Sequence, residues 1–199
     1  MMLKIGITGG IGTGKTTVCR IFELLGVPVY YADAHAKLVM HTDKELIASV
    51  KAVFGDEVYS TGVLNRSMLG ELVFNDAELL RQLNALVHPA VFRDFKQWSE
   101  DQNCTYVLKE AAILFESGSD QDCDYTLLVK SPLSLRISRI MQRDTMSRDD
   151  IMKRMDKQMS EEEKEKRADF CMLNDELNLV IPQVLDLHKR FVALSEGKI

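Results

Sequence analysis

The sequence has few of the features that secreted, metal-cluster or membrane proteins need. Its four cysteines are scattered, with no Cys-x-x-Cys pair and no histidine at ligand spacing, which argues against a disulfide framework or a zinc site. No apolar run approaches the eighteen or so residues of a membrane span. We therefore expect reduced thiols, no membrane partner and a cytoplasmic location.

The charge is low overall but unevenly spread. A net charge of −5 argues against a protein that coats nucleic acid. Residues 130–157 nevertheless carry eight Lys or Arg against four Asp, and such a local basic patch suits a small polyanion. A length of 199 residues favours one domain, and we expect a monomer that binds small molecules.

The stretch Gly9-Gly10-Ile11-Gly12-Thr13-Gly14-Lys15-Thr16 directly follows an apolar run at residues 3–8. Its spacing is that of a P-loop, in which backbone N–H groups converge on phosphate at a helix N-terminus. The alternative is a glycine-rich turn that binds nothing. Lys15 is placed to span the β- and γ-phosphates of ATP, and the Thr16 hydroxyl to ligate Mg²⁺. The predicted nucleotide-binding residues are Gly10, Ile11, Gly12, Thr13, Gly14, Lys15, Thr16 and Thr17.

The remaining pattern predicts an α/β fold of the P-loop NTPase type, with three layers and a parallel sheet of about five strands. We expect a single kinase-like domain whose core covers about 1–32, 104–130 and 168–199. A helical insertion at about 33–103 interrupts it, and a helical lid covers about 131–160. Further strands are predicted at Val27–Tyr31, Tyr106–Glu110, Tyr125–Val129 and Phe170–Leu173, with a last helix placing Leu177, Val180, Ile181, Val184, Leu187 and Leu194 on the sheet.

Asp33 follows the second predicted strand. Ligands of open parallel sheets bind beyond the carboxyl ends of the strands, so a carboxylate there can act as general base toward a hydroxyl aligned on the γ-phosphate. The alternative is that Asp33 caps the next predicted helix, at 34–40.

The predicted insertion is helical throughout, and we expect His88-Pro89 to break its last long helix. Its size favours a module that binds the acceptor substrate, although a helical pair that only packs is the alternative. Glu110 ends the third predicted strand, where an acid could serve the metal's water shell. Glu116 competes for that role, and either could be a surface acid.

Arg136, Arg139 and Arg143 recur at helical spacing after Ser131-Pro132 and share one face. Clustered arginines after a buried strand favour a lid that clamps phosphate. The alternative is a solvated charged face.

Taken together, the chain resembles the dephospho-coenzyme A kinases, P-loop kinases that phosphorylate the 3′-hydroxyl of dephospho-CoA in the last step of CoA synthesis. The resemblance implies ATP and dephospho-CoA as substrates, Mg²⁺ as cofactor, Asp33 as base, Arg139 and Arg143 on the transferring phosphate, and His88 among the substrate-binding residues. It rests on 8–17, Ala32-Asp33, Leu83-Asn84-Ala85-Leu86-Val87-His88-Pro89, Ile113-Leu114-Phe115-Glu116-Ser117, 139–144, and Gln158-Met159-Ser160 leading to Ala168-Asp169.

The sequence departs from the family pattern at three places. Tyr31 stands where the family usually has Asp, Ala112 where proline is common, and Asn174-Asp175-Glu176 where Asn-x-Gly is usual near the adenine. A kinase for another small acceptor, such as a nucleotide, shikimate or gluconate, would share every phosphate-side residue. A nucleotide-dependent switch would want a guanine-reading Asn-Lys-x-Asp segment, which the sequence lacks.

Overall fold

The computed structural model describes residues 2–74 and 76–198. Within them lies a parallel five-stranded sheet of order β2-β3-β1-β4-β5, so the predicted α/β fold is confirmed. The strands are β1 Leu3–Thr8, β2 Val29–Tyr31, β3 Tyr106–Glu110, β4 Tyr125–Lys130 and β5 Phe170–Leu173. The helices are α1 Lys15–Leu24, α2 Ala32–Thr42, α3 Lys44–Phe54, α4 Arg66–Phe74, α5 Ala77–Glu100, α6 Leu133–Arg143, α7 Arg148–Met155, α8 Glu161–Arg167 and α9 Val180–Ser195.

Contacts divide the chain into two compact units. One contains residues 2–31 and 102–198, with the sheet, and the other is the helical segment Ala32–Asp101. The boundaries predicted for the insertion, about 33–103, lie within two residues of the helical unit.

In the sheet unit, helices α1 and α9 pack against the sheet and contribute large side chains to the core. Val18 and Phe22 of α1 and Phe191 of α9 are fully buried, and Phe22 stacks on Phe191 with ring centroids 6.2 Å apart. The prediction for the last helix is partly wrong. Leu177 precedes α9 and is 88% exposed, and Ile181 in its first turn is 59% exposed.

The sheet register places the candidate site. Glu110 at the end of β3 lies beside Ile7, one residue before the end of β1. The loop at 9–14 leaves the same edge of the sheet, so Glu110 borders the loop. Several boundaries differ from those predicted: β2 begins at Val29, α2 runs from Ala32, directly after it, to Thr42, and β4 ends at Lys130.

In the helical unit, the prediction that Pro89 breaks the last helix is wrong, because α5 runs from Ala77 to Glu100 with Pro89 inside it. An interior proline loses a hydrogen bond and costs about 3 kcal/mol or more. Val87, Val91 and Phe95, on both sides of Pro89, are buried. Each contributes about 1.5–3 kcal/mol, which is enough to offset the proline.

Candidate active site

The loop between β1 and α1 has the backbone that its glycines predict. Gly12 and Gly14 have φ of 83° and 88°, in the left-handed region that other residues adopt only at a cost. A Cβ on Gly14 would also collide with the side-chain amide of Asn174. The loop therefore ends at the first turn of α1, where backbone N–H groups lack helical partners and favour an anion.

The side chain of Lys15 lies against the backbone of this loop. Its Nζ donates to the carbonyl oxygens of Gly9 (2.8 Å) and Gly10 (3.3 Å) and lies 4.0 Å from Glu110 Oε1. The side chains of Lys15 and Glu110 are only 9% and 11% exposed. A largely dehydrated ammonium group next to the loop can bind phosphate strongly, because little water screens the interaction.

The three threonines of the loop differ in their surroundings. Thr13 is buried, and its hydroxyl donates to Gly10 O at 3.0 Å, so this side chain shapes the loop. Thr16 and Thr17 lie exposed in the first turn of α1. Their hydroxyls are accessible to a ligand at the loop.

Three side chains from outside the loop bind its backbone. Arg136 Nε donates to Ile11 O (2.9 Å), Ile11 N donates to Gln158 Oε1 (3.0 Å), and Asn174 Nδ2 donates to Thr13 O (2.9 Å). Sequence reasoning missed all three contacts. The only signals were that Gln158 stands in a segment that matches a family motif and that Asn174 keeps the first residue of the usual Asn-x-Gly.

The three arginines of α6 have different partners, although they share a helix face. Arg136 lies on the loop, as described. Arg143 donates to both carboxylate oxygens of Asp144 (3.0 and 2.8 Å) and is 67% exposed. Arg139 donates to Ser131 Oγ (3.1 Å), Asn174 O (3.2 Å), Asn174 Oδ1 (3.4 Å) and Glu176 Oε1 (3.3 Å).

The two candidate metal acids have different surroundings. Glu116 Oε1 accepts hydrogen bonds from Met159 N (2.9 Å) and lies 2.9 Å from Lys164 Nζ, which is 1% exposed and also donates to Ala112 O (3.0 Å). Glu116 thus anchors the segment before α8. Glu110 lies at the loop, beside Lys15.

The donor chemistry near the loop fits Mg²⁺. In the described residues, no group of three or more His, Cys, Asp or Glu is arranged to hold a metal ion. Mg²⁺ bound to phosphates keeps several waters and takes only one or two protein oxygens. The hydroxyl of Thr16 and the carboxylate of Glu110 are oxygen donors of the required kind.

In the helical unit, Asp33 is the second residue of α2 and is exposed. Two residues later, His35 Nδ1 lies 2.7 Å from Asp94 Oδ2 of α5, which ties the first turn of α2 to that helix. His88 of α5 stacks on Phe92 with ring centroids 6.5 Å apart. Burial lowers the pKa of His88 below 6.5, so its imidazole is neutral near pH 7.

Comparison with known proteins identifies the family. The family model for dephospho-CoA kinase matches residues 3–178. The chain belongs to the dephospho-CoA kinase family. A dephospho-CoA kinase from Bacteroides fragilis (strain YCH46) is 42% identical over 94% of this chain and 92% of its own. Another from Salinibacter ruber is 40% identical over 87% of this chain and 89% of its own.

A solved structure from Thermus thermophilus is 36% identical, with a TM-score of 0.81 over 96% of this chain and 97% of that one. Membership of the dephospho-CoA kinase family makes the protein a phosphotransferase and accounts for a P-loop with a lysine at its end. In the described residues, no helix is long and apolar enough to span a membrane.

Proposed function

We propose that the protein transfers the γ-phosphoryl group of ATP to the 3′-hydroxyl of dephospho-CoA, giving CoA and ADP. The observation that carries this is a P-loop with a buried Lys15 in a chain whose family match extends over residues 3–178. The test is ADP release with a panel of acceptors: dephospho-CoA, adenosine, AMP and shikimate. Dephospho-CoA should be strongly preferred, and faster turnover of AMP or shikimate would refute the acceptor while leaving a P-loop kinase.

The phosphate side of the mechanism rests on positioning and electrostatics, which supply most of the acceleration in phosphoryl transfer. We propose that the ammonium group of Lys15 exchanges its bonds to Gly9 O and Gly10 O for oxygens of the β- and γ-phosphates. Backbone N–H groups of the loop and of the first turn of α1 bind the β-phosphate. The hydroxyl acceptor then attacks the γ-phosphorus in line.

Mg²⁺ neutralises charge on the β- and γ-phosphates in reactions of this class. We propose that the hydroxyl of Thr16 holds it and that Glu110 binds its water shell. Glu110 is preferred to Glu116 because Glu110 lies at the loop beside Lys15, whereas Glu116 holds the segment before α8 through Met159 N and Lys164.

We propose that Asp33 is the general base. It follows the last residue of β2 by two positions in the sequence, and ligands of parallel sheets bind beyond the carboxyl ends of the strands. A cap would precede the first helical residue, whereas Asp33 is already inside α2. This position favours the base over the capping alternative.

We propose that Arg139 and Arg143 of the predicted lid bind the transferring phosphate once the nucleotide is present. The exposed pair between Arg143 and Asp144 is of a kind that contributes only about 0–1 kcal/mol, so Arg143 can leave it easily. Arg139 would have to exchange bonds to Asn174 and Glu176. The helical unit, with His88, is proposed to bind the acceptor.

A further inference from the structure

One P-loop residue has both of its peptide groups bound by side chains from distant parts of the chain. The carbonyl of Ile11 accepts from Arg136 Nε at 2.9 Å, and its N–H donates to Gln158 Oε1 at 3.0 Å. Arg136 belongs to α6, and Gln158 lies between α7 and α8. We call this pair, Arg136 and Gln158, the Ile11 clamp.

The arginine half of the clamp packs on the loop itself. A Cβ on Gly10 would collide with the guanidinium of Arg136, and one on Gly12 would come within 2.7 Å of Arg136 O. The Arg136 side chain is 12% exposed, with Glu161 Oε2 3.9 Å away. Burial lowers the pKa of the guanidinium, and the charge of Glu161 opposes that shift. The glycines at 10 and 12 thus admit α6 as a support for the loop.

The glutamine half is fixed by an ion pair between Glu116 and the buried Lys164. The next residue, Met159, donates its N–H to Glu116 Oε1 (2.9 Å), and Glu116 pairs with Lys164 at 2.9 Å. Lys164 also donates to Ala112 O at 3.0 Å. This arrangement ties the segment carrying Gln158 to the loop that follows β3, and so sets the position of the amide oxygen.

The clamp lies beside open space. A cavity of about 450 Å³ is bordered by Gly10, Arg136, Gln158, Met155 and Lys164. Gly10, Arg136 and Gln158 all border this cavity, so both side chains of the clamp lie where the P-loop meets open space.

We propose that Arg136 and Gln158 are positioning residues that hold the P-loop in its phosphate-binding geometry before the nucleotide arrives. They act through the backbone of Ile11. Preorganisation of this kind raises affinity because less ordering remains to be done on binding. The proposal rests on the proposed function only in that the ligand is ATP or ADP.

The test measures ADP affinity by calorimetry, together with kcat, KM for each substrate and Tm. Gln158→Met removes the acceptor oxygen at similar length, and Arg136→Met removes the donor. Each loses one hydrogen bond, so each should weaken ADP binding about threefold to tenfold. KM for ATP should rise in parallel, while KM for dephospho-CoA should hardly change. Tm should hold in Gln158→Met and fall in Arg136→Met, which also removes the ion pair to Glu161. ADP affinity within twofold of wild type in both variants would overturn the proposal.

Conservative variants separate positioning from folding. Gln158→Glu keeps an oxygen that can accept from Ile11 N–H but adds a negative charge near the phosphate site, so at high salt, where that repulsion is screened, it should bind ADP more tightly than Gln158→Met. A loss equal to that of Gln158→Met would overturn the assignment of the acceptor oxygen. Exposed residues supply matched controls, Gln121→Met and Arg190→Met, which should leave ADP affinity unchanged.

A double variant tests whether the two side chains act as one clamp. Because both hold Ile11, Arg136→Met combined with Gln158→Met should weaken ADP binding less than the product of the two single effects. Fully multiplicative losses would show two independent contacts and refute the clamp. ADP binding needs no acceptor, so this result stands even if dephospho-CoA fails in the acceptor panel, and its failure leaves the panel unaffected.

Discussion

Asn174 Nδ2 donates a hydrogen bond to Thr13 O at 2.9 Å, although 161 residues separate them in the chain. The same amide lies where a Cβ on Gly14 would be. Gly14 therefore meets two demands, a left-handed backbone and the close approach of Asn174. The loop after β5 thus supports the P-loop at Thr13 and Gly14, in addition to the Ile11 clamp.

The two demands on Gly14 can be separated by substitution. Gly14→Ala should lower the free energy of unfolding by about 1–2 kcal/mol for the left-handed backbone, and further for the collision with Asn174. Gly26→Ala is the matched control, since Gly26 has a φ of 82° and nothing within 4 Å of its Cβ position. In the background of Asn174→Ala, which has its own cost because it loses the bond to Thr13 O, Gly14→Ala should cost only the backbone part. Urea unfolding of these variants measures the backbone part and the collision part of the loss in unfolding free energy. Equal losses in Gly14→Ala and Gly26→Ala would refute the collision.

Lys15→Ala should abolish most phosphoryl transfer while leaving a folded protein. Loss of one preorganised electrostatic group costs about 10²–10³ in kcat, and the ammonium of Lys15 lies on the carbonyls of Gly9 and Gly10. The measurements are single-turnover transfer and Tm. Lys189→Ala, exposed on α9, is the control and should keep full activity. Near-normal turnover by Lys15→Ala would contradict the phosphate role of the loop.

The sequence predicts those parts of the structure that local chemistry decides. The five strands lie in or next to the segments where the sequence predicts them, and Ser160 and Glu163 form a capping box of the kind that Ser-x-x-Glu spacing favours. The P-loop needs its glycines wherever it occurs. The boundary errors at β2 and α2 arise because propensity does not specify the last residue of an element.

Hydrogen-bond partners that are brought together only by the tertiary fold could not be predicted from the sequence in the same way. Helical spacing places Arg136, Arg139 and Arg143 on one face, but long side chains from one face reach different neighbours. Ile11 and Gln158 are 147 residues apart, and no local pattern indicates that they meet. The continuity of α5 could not be predicted locally either, because the burial of side chains around Pro89 outweighs the cost of a proline inside a helix.

Arg139→Ala and Arg143→Ala should each lower kcat more than affinity for dephospho-CoA, because charge on the transferring group grows toward the transition state. Their stabilities should differ. Arg143 forms an exposed pair, so its removal should leave Tm nearly unchanged, whereas Arg139 loses bonds to Ser131 and Asn174. Steady-state kinetics and thermal unfolding measure these effects, with Arg190→Ala as the surface control. Raised KM with unchanged kcat would make both arginines docking groups.

His88 should make stability depend on pH. Burial lowers its folded-state pKa below 6.5, so at pH values between the folded and unfolded pKa the unfolded chain binds more protons. Stability then rises with pH through that window and falls on acidification. When the pH is lowered from 7.5 to about 5.5, Tm should fall less in His88→Gln than in the wild-type protein. His41→Gln, at an exposed position in α2, serves as control, and an unchanged slope in His88→Gln would contradict the prediction.

Asp33→Asn tests the proposed general base. Asn keeps the size of the side chain and is about as good a helix cap as Asp, so only the base is removed. We expect kcat to fall by about 10²–10⁴, with ATP and dephospho-CoA affinity and Tm nearly unchanged. Asp43→Ala is the contrasting control, because Asp43 Oδ1 accepts from Leu46 N at 2.9 Å and caps α3. It should lose about 0.5–2 kcal/mol of stability and little kcat. If Asp33→Asn retained more than about a third of wild-type kcat, far short of the expected loss, positioning by the P-loop and the arginines would have to account for the catalysis.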